Sequence, residues 1–100
     1  MRILIICSSG MSSSVLVTNM QNAALALKIP AEIKALGRDE SSQITLDYDV
    51  ILLAPQARYQ KDRFVKATNG QIPIEVIDPS SYGMLDGKKV LEQALRIAGK

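Results

Sequence analysis

The sequence predicts an α/β fold with an open, mostly parallel four-stranded sheet. Three short apolar runs, at residues 3–6, 50–54 and 74–77, are rich in branched side chains and bounded by polar or turn-forming residues, which is typical of buried strands. The weaker, alternating segment 31–37 predicts a fourth strand at an edge. Because helical segments lie between the strands and such crossovers are right-handed, we expect the strand order 2-1-3-4 with helices on both faces.

Helical spacing of apolar residues predicts three main helices. The apolar face of the first helix consists of Leu16, Met20, Ala23 and Leu27. The serines at 12–14 are its candidate N-caps. A less amphipathic helix is expected over residues 59–67, and segment 39–49 predicts a short helix before Asp49. The last helix has Asp86 as its candidate cap and an apolar stripe formed by Val90, Leu91, Ala94, Leu95 and Ala98.

Length, charge and cysteine content restrict the class of protein. A chain of 100 residues predicts a single domain over residues 1–100. The net charge of +2 is too small to favour nucleic-acid binding, and the basic groups at 58–66 and 87–96, which also contain acids, are typical of solvated helix faces. One cysteine excludes an internal disulfide and fits a reducing compartment. No apolar run resembles a signal peptide or approaches the ~18 residues of a membrane span, so we expect a cytoplasmic protein.

The single cysteine begins the run 7-CSSGMSSS-14, between the first strand and the first helix. In a sheet of this order, ligands bind at the carboxyl ends of the strands beside strand one, where Cys7 lies. Backbone amides of the loop and the helix N-terminus form an anion site there, Gly10 permits a tight turn, and the same field favours the thiolate of Cys7. We interpret Cys7 as a phosphoryl acceptor, with hydrogen bonds added by the hydroxyl groups of Ser8, Ser9, Ser12, Ser13 and Ser14. The alternative is a packing cysteine, with serines that cap or turn the chain.

Several residues that related chemistries need are missing from the sequence. No lysine follows in a G-x-x-x-x-G-K-[ST] pattern, and Ser13 occupies the position of the arginine of a C-x5-R phosphatase. There is no second cysteine to resolve a disulfide, and the chain has no histidine. Asp78-Pro79 resembles the acid loop of small tyrosine phosphatases, although a simple turn is the alternative. The pattern indicates a site that accepts and holds a phosphoryl group without hydrolysing it readily.

Three stretches together resemble one protein family over nearly the whole chain. The stretches 2-RILIICSSGMSSSVLV-17, 50-VILLAPQARY-59 and 75-EVIDPSSYGMLDGKKVL-91 are similar to the IIB proteins of the bacterial sugar phosphotransferase system (PTS), lactose/cellobiose (chitobiose) type. The resemblance implies a fold like that of small tyrosine phosphatases. It also implies that Cys7 takes a phosphoryl group from a phosphohistidine of a IIA protein (EIIA). Cys7 then gives it to a cellobiose-, chitobiose- or lactose-like sugar bound by the membrane permease IIC (EIIC). Ser9 and Ser13 replace the expected alanine and threonine.

The same resemblance assigns roles around Cys7. Residues Ser8 to Ser14 would cradle the phosphate mainly through backbone amides, and Met11 would dock against the partners or belong to the core. Gln56, Tyr59 and Tyr82 would lie at the rim and shape the partner surface. No cofactor beyond a covalent phosphocysteine and no metal is implied, and the protein would act transiently at the inner face of the membrane. The alternatives are a low-molecular-weight phosphatase-like hydrolase and a regulatory module that senses an anion without covalent chemistry.

Overall fold

The computed structural model describes residues 1–7, 10–37 and 48–99, with side chains at 7, 10–13, 36 and 37 outside the description. In chain order the elements are β1 (Arg2–Cys7), α1 (Gly10–Ala26), β2 (Glu32–Gly37), β3 (Val50–Leu53), a 3₁₀ helix (Pro55–Gln60), α2 (Lys61–Ala67), β4 (Ile74–Val76), α3 (Pro79–Gly83) and α4 (Gly87–Ile97). The strands form one four-stranded sheet in the order β2-β1-β3-β4, and every pairing is parallel. The predicted fold class and strand order are confirmed, and so is the edge position of the weaker segment 31–37, which forms β2.

The core lies on both faces of the sheet, because helices cover both. On one face Ile3 and Ile5 of β1 pack with residues of α1 and α4. On the other face Leu4 and Ile6 pack with Phe64 of α2. All four β1 side chains are fully buried, which explains why the strand is a continuous apolar run rather than an alternating one.

Helix α1 differs from its prediction at both ends. It begins at Gly10, so the serines at 12–14 lie within the helix and the prediction that they cap it is wrong. Only two residues separate β1 from α1, which leaves no room for a longer loop before the helix. Leu16 and Met20 are fully buried as predicted, but Leu27 is 45% exposed. Leu27 lies beyond the last helical residue, where the chain turns through Lys28 at a positive φ of 57° towards β2.

The remaining described helices that the sequence predicts lie where they are expected, but one of them begins earlier than predicted. The helix predicted from residue 59 begins earlier as the 3₁₀ helix, with Pro55 at its first turn, and continues as α2 to the predicted end at residue 67. Helix α4 begins after Asp86, whose carboxylate accepts a hydrogen bond from the Lys89 amide at 3.1 Å, as the predicted cap does. Its Val90 and Leu91 are fully buried. The helix predicted before Asp49 falls mainly on residues 39–47, outside the described residues.

Candidate functional site

Cys7 ends the strand at which the sheet order reverses. It is the last residue of β1, where its partner in the sheet register is Gly37 of β2. On the other side of β1, the Ala54 amide donates a hydrogen bond to the Ile6 carbonyl oxygen at 2.8 Å, and β3 has ended by that point. The backbone of Cys7 therefore lies at the carboxyl edge of the sheet, in the crevice where parallel α/β sheets bind their ligands.

Helix α1 starts three residues after Cys7 and extends for 17 residues, or ~25 Å. The first four amides of a helix have no carbonyl partner within it, and the helix dipole places ~0.5 of a positive charge at that end. No acidic residue occurs in the first turn of α1 to neutralise this charge. The backbone of β1 and α1 thus brings Cys7 next to a helix N-terminus that favours anions.

The residues predicted to cradle a phosphate, 8–14, differ in how far the structure describes them. Ser8 and Ser9 lie outside the described residues. Gly10, Met11, Ser12 and Ser13 form the start of α1, and only their backbone is described. Ser14 is exposed in the next turn, where its carbonyl oxygen accepts a hydrogen bond from the Thr18 hydroxyl at 3.1 Å. The predicted serine-rich loop is thus largely the first turns of a helix. The roles of these residues in phosphate binding, and of Met11 in docking, remain predictions.

Two of the three predicted rim residues contact each other. The Gln56 amide nitrogen donates a hydrogen bond to the Tyr82 hydroxyl at 3.3 Å. This contact joins the 3₁₀ helix that follows β3 to α3, which follows β4. Tyr59 is 66% exposed, and its hydroxyl accepts a hydrogen bond from Gln60 at 3.2 Å instead. All three residues follow strands at the carboxyl edge, and their role towards partners remains a prediction.

Asp78 occupies the N-cap position of α3, with Pro79 in the first turn. Its carboxylate accepts a hydrogen bond from the Ser81 hydroxyl at 3.2 Å, and its backbone amide donates one to the Gln93 side chain at 3.1 Å. Pro is favoured at the first position of a helix because its missing N–H would be unpaired there. The Asp-Pro pair thus starts a short helix, which favours the turn-forming interpretation over that of an acid loop.

Gln93 of α4 is a residue that the sequence analysis missed. Its amide nitrogen donates to the Glu75 carboxylate at 2.7 Å and to the Val76 carbonyl oxygen at 2.8 Å, while its oxygen accepts from the Asp78 amide. β4 is an edge strand, whose outer backbone groups have no neighbouring strand to pair with. Gln93 supplies those partners from the helix. No pattern in the neighbouring sequence marks Gln93 for this role.

The described residues contain neither a candidate metal-binding cluster nor a helix that could span a membrane. Within residues 1–7, 10–37 and 48–99, no group of three or more histidine, cysteine, aspartate or glutamate side chains is arranged to hold a metal ion. None of the helices described there is long and apolar enough to cross a membrane.

Comparison with known proteins identifies the family. The family model described as "PTS system, Lactose/Cellobiose specific IIB subunit" matches residues 2–93. The chain belongs to this family. The IIB subunits of the PTS are phosphotransferases, so the predicted family and enzyme class are confirmed. A relative named PTS system oligo-beta-mannoside-specific EIIB component, from Bacillus subtilis (strain 168), is 44% identical over 97 residues, covering 96% of this chain and 94% of that protein.

Other relatives and solved structures agree with this assignment. Two EIIB components from Lactococcus lactis, named galactose-specific (subsp. cremoris) and cellobiose-specific (subsp. lactis), are each 36% identical over 94 residues, covering 88% of this chain and 87% of theirs. The solution structure of a cellobiose-specific IIB protein from Borrelia burgdorferi matches with a TM-score of 0.78 and 39% identity, over 99% of this chain and 92% of that one. The lactose-specific IIB domain from Streptococcus pneumoniae shares the fold, with a TM-score of 0.82 at 23% identity over 97% and 96% of the two chains.

Proposed function

We propose that Cys7 carries the phosphoryl group in a PEP-dependent sugar phosphotransferase system. It receives the group from a phosphohistidine of a IIA protein and gives it to a sugar held by the membrane permease IIC. One observation carries this proposal: in a chain of the IIB family, the one cysteine ends the central strand β1, three residues before the N-terminus of a 17-residue helix. This placement brings a helix N-terminus that favours anions and a reactive sulfur together at the carboxyl edge of the sheet.

The helix start favours both the nucleophile and the group that it accepts. The unpaired amides of the first turn and the positive end of the dipole stabilise a thiolate, which is the nucleophilic form of cysteine. They also stabilise the negative charge that spreads over the phosphoryl oxygens in the transition state. This arrangement requires no cofactor beyond the covalent phosphocysteine and no metal ion.

Two in-line transfers complete the reaction. In the first, the Cys7 sulfur attacks phosphorus, the S–P bond forms, and the N–P bond of the donor breaks so that its imidazole leaves. In the second, a sugar hydroxyl oxygen attacks phosphorus, the O–P bond forms, and sulfur leaves as the thiolate. The hydroxyl gives up its proton to a base, which we assign to the permease because the permease holds the sugar.

The phosphocysteine is expected to persist long enough to meet the permease. Hydrolysis needs an activated water and a cation that stabilises the leaving charge. Ser13 occupies the position of the arginine in the C-x5-R phosphatase pattern, and the Asp78 carboxylate accepts a hydrogen bond from Ser81 at the start of α3. These features favour a relay over the alternative of a phosphatase-like hydrolase.

The relatives suggest the class of sugar and the place of action. The names of the similar EIIB components specify oligo-beta-mannoside, galactose and cellobiose. We therefore propose a cellobiose-, chitobiose- or lactose-like sugar, or a related β-mannoside, with the choice made by the permease. The protein would work in the cytoplasm and reach the inner face of the membrane when it meets the permease.

The proposal is tested by intact mass spectrometry. The chain is mixed with phosphoenolpyruvate, the general phosphotransferase proteins and a cellobiose-type IIA. We expect one added phosphoryl group that maps to Cys7 and does not form without IIA. Steady release of nitrophenol from an aryl phosphate by the chain alone, with no adduct from several IIA proteins, would favour the phosphatase. Phosphate protection of the fold that persists in Cys7→Ala, again without an adduct, would favour an anion-sensing module.

A further inference from the structure

Four exposed basic side chains follow β3, which ends at the carboxyl edge of the sheet. We call this group the basic surface; its members are Arg58, Lys61, Arg63 and Lys66. Segment 55–67 holds four of the chain's 12 basic side chains but only one of its 10 acidic ones, so the rest of the chain is slightly acidic. All four are exposed, and none forms an ion pair with any residue in the described part of the chain.

The segment that holds these charges begins at the edge where β1 ends. The 3₁₀ helix starts at Pro55, directly after Ala54, whose amide donates to the carbonyl oxygen of Ile6 at 2.8 Å. The Arg58 guanidinium donates to the Pro55 carbonyl oxygen at 3.1 Å, which holds it near the edge. From Lys61 the chain continues as α2, which leads away from this edge towards the start of β4. Along the chain the charges are thus graded, with Arg58 and Lys61 closest to the end of β3 and Lys66 about two turns of helix beyond Arg58.

Given the proposed function, we propose that the basic surface binds an acidic surface around the phosphohistidine of the donor protein. A phosphoryl group adds up to about two negative charges. Before transfer that charge belongs to the donor and attracts it to the basic surface. After transfer the charge belongs to Cys7, on the same chain as the basic residues, and the attraction between the two proteins falls. The basic surface therefore selects the phosphorylated donor and releases the spent one. The acceptor sugar is neutral and gains no comparable attraction.

Such long-range attraction acts mainly on association, so it appears in kcat/KM and in its salt dependence. Raising the salt concentration from about 0.01 M to about 0.15 M shortens the screening length from ~30 Å to ~8 Å. We expect kcat/KM for phosphoryl transfer from the phosphorylated IIA to fall ~10-fold or more over this range. The maximal rate at saturating donor should stay nearly constant, because the chemistry at Cys7 is unchanged.

Charge-reversal variants test which part of the surface attracts the phosphorylated donor. At about 0.15 M salt, where the screening length is ~8 Å, Lys61→Glu should lower kcat/KM severalfold, and Lys66→Glu should lower it less, since exposed charges beyond a screening length contribute little. Lys28→Glu is the matched control. It makes the same change in net charge, but Lys28 is exposed beyond the far end of α1, ~25 Å along that helix from the site. Its effect should be under ~2-fold.

Binding to Cys7→Ala, which cannot accept the group, tests selection directly. The phosphorylated IIA should bind this variant more tightly than the unphosphorylated IIA, and the difference should shrink in Cys7→Ala/Lys61→Glu. Equal affinity for the two forms of IIA would overturn the inference.

The other outcomes separate this inference from the proposed function. Transfer to Cys7 that is insensitive to salt, or equal losses in Lys61→Glu and Lys28→Glu, would overturn the inference and leave the relay intact. A loss confined to the second transfer, from Cys7 to the sugar on the permease, would also overturn it by assigning the surface to the permease. If wild-type protein accepts no phosphoryl group at all, the inference and the relay are both wrong.

Discussion

Gly87, the first residue of α4, lies directly against the backbone of Asn19 in α1. A Cβ atom built on Gly87 would approach the Met20 amide nitrogen to 2.5 Å and the Asn19 carbonyl oxygen to 2.6 Å, both within overlap distance. The Asn19 side chain also donates a hydrogen bond to the Leu85 carbonyl oxygen at 2.9 Å, just before α4 begins. The two helices on one face of the sheet therefore meet through bare backbone, and α1 is the helix whose start adjoins Cys7.

Substitution Gly87→Ala should destabilise the fold, because the new methyl group overlaps helix backbone that cannot move aside cheaply. We expect a loss of about 1–3 kcal/mol in the free energy of unfolding, measured by urea denaturation. Gly83→Ala is the matched control, since no atom lies within 4 Å of its added Cβ. A loss as large in Gly83→Ala as in Gly87→Ala would contradict the close-contact explanation.

Removal of the cap of α4 should also lower stability. Asp86→Ala deletes the carboxylate that accepts from the Lys89 amide, and we expect a cost of ~1 kcal/mol, read as a lower thermal midpoint. Asp86→Asn retains an oxygen that accepts this bond and should restore most of the midpoint. Equal midpoints for Asp86→Ala and wild type would show that the cap contributes nothing.

The hydrogen bonds of Gln93 to the edge strand should contribute to stability as well. Gln93→Leu keeps much of the volume but leaves the Val76 carbonyl and the Asp78 amide without this partner, and we expect a loss of ~1–2 kcal/mol. Gln93→Glu loses both donated bonds and places a carboxylate beside Glu75. Its unfolding free energy should therefore recover towards wild type as the pH is lowered and the introduced carboxylate gains a proton, because the neutral acid can again donate a hydrogen bond. A Gln93→Glu deficit that is independent of pH would argue against this contact.

The contact between Gln56 and Tyr82 predicts coupled effects on donor recognition. Tyr82→Phe and Gln56→Ala should each raise KM for the phosphorylated IIA severalfold with little change in kcat, because both lie at the rim rather than at the sulfur. The KM of the double variant should be no higher than that of the more affected single variant, since both substitutions remove the same hydrogen bond. Tyr59→Phe is the control outside this pair. Additive effects of the two substitutions would show that the residues act separately.

The sequence predicted those features that depend on neighbouring residues. Continuous apolar runs such as residues 3–6 indicated buried parallel strands, and Asp86 before an apolar stripe indicated a capped helix. The start of α1 was misjudged because three consecutive serines offered plausible caps, while the two-residue connection from β1 moves the helix start back to Gly10.

Sequence patterns did not predict contacts between residues that are far apart in the chain. Gln93 binds backbone groups 15 and 17 residues away, and nothing in its local surroundings indicates these partners. The same holds for the hydrogen bond between Gln56 and Tyr82, which are 26 residues apart. Chain order alone puts Gln56 and Tyr82 after strands whose carboxyl ends meet at one edge of the sheet, and their role at a rim around Cys7 stays a prediction.

The measurement that tests the central claim most directly is phosphoryl transfer to Cys7→Ser, compared with wild type, after mixing with phosphorylated IIA. Serine is close to cysteine in size but remains un-ionised at neutral pH, whereas a helix N-terminus favours the thiolate form of a cysteine. The account predicts a rapid phosphoryl adduct on wild type and none on Cys7→Ser over the same interval. An adduct that forms on Cys7→Ser at the wild-type rate would place the phosphoryl group on another residue and contradict the account.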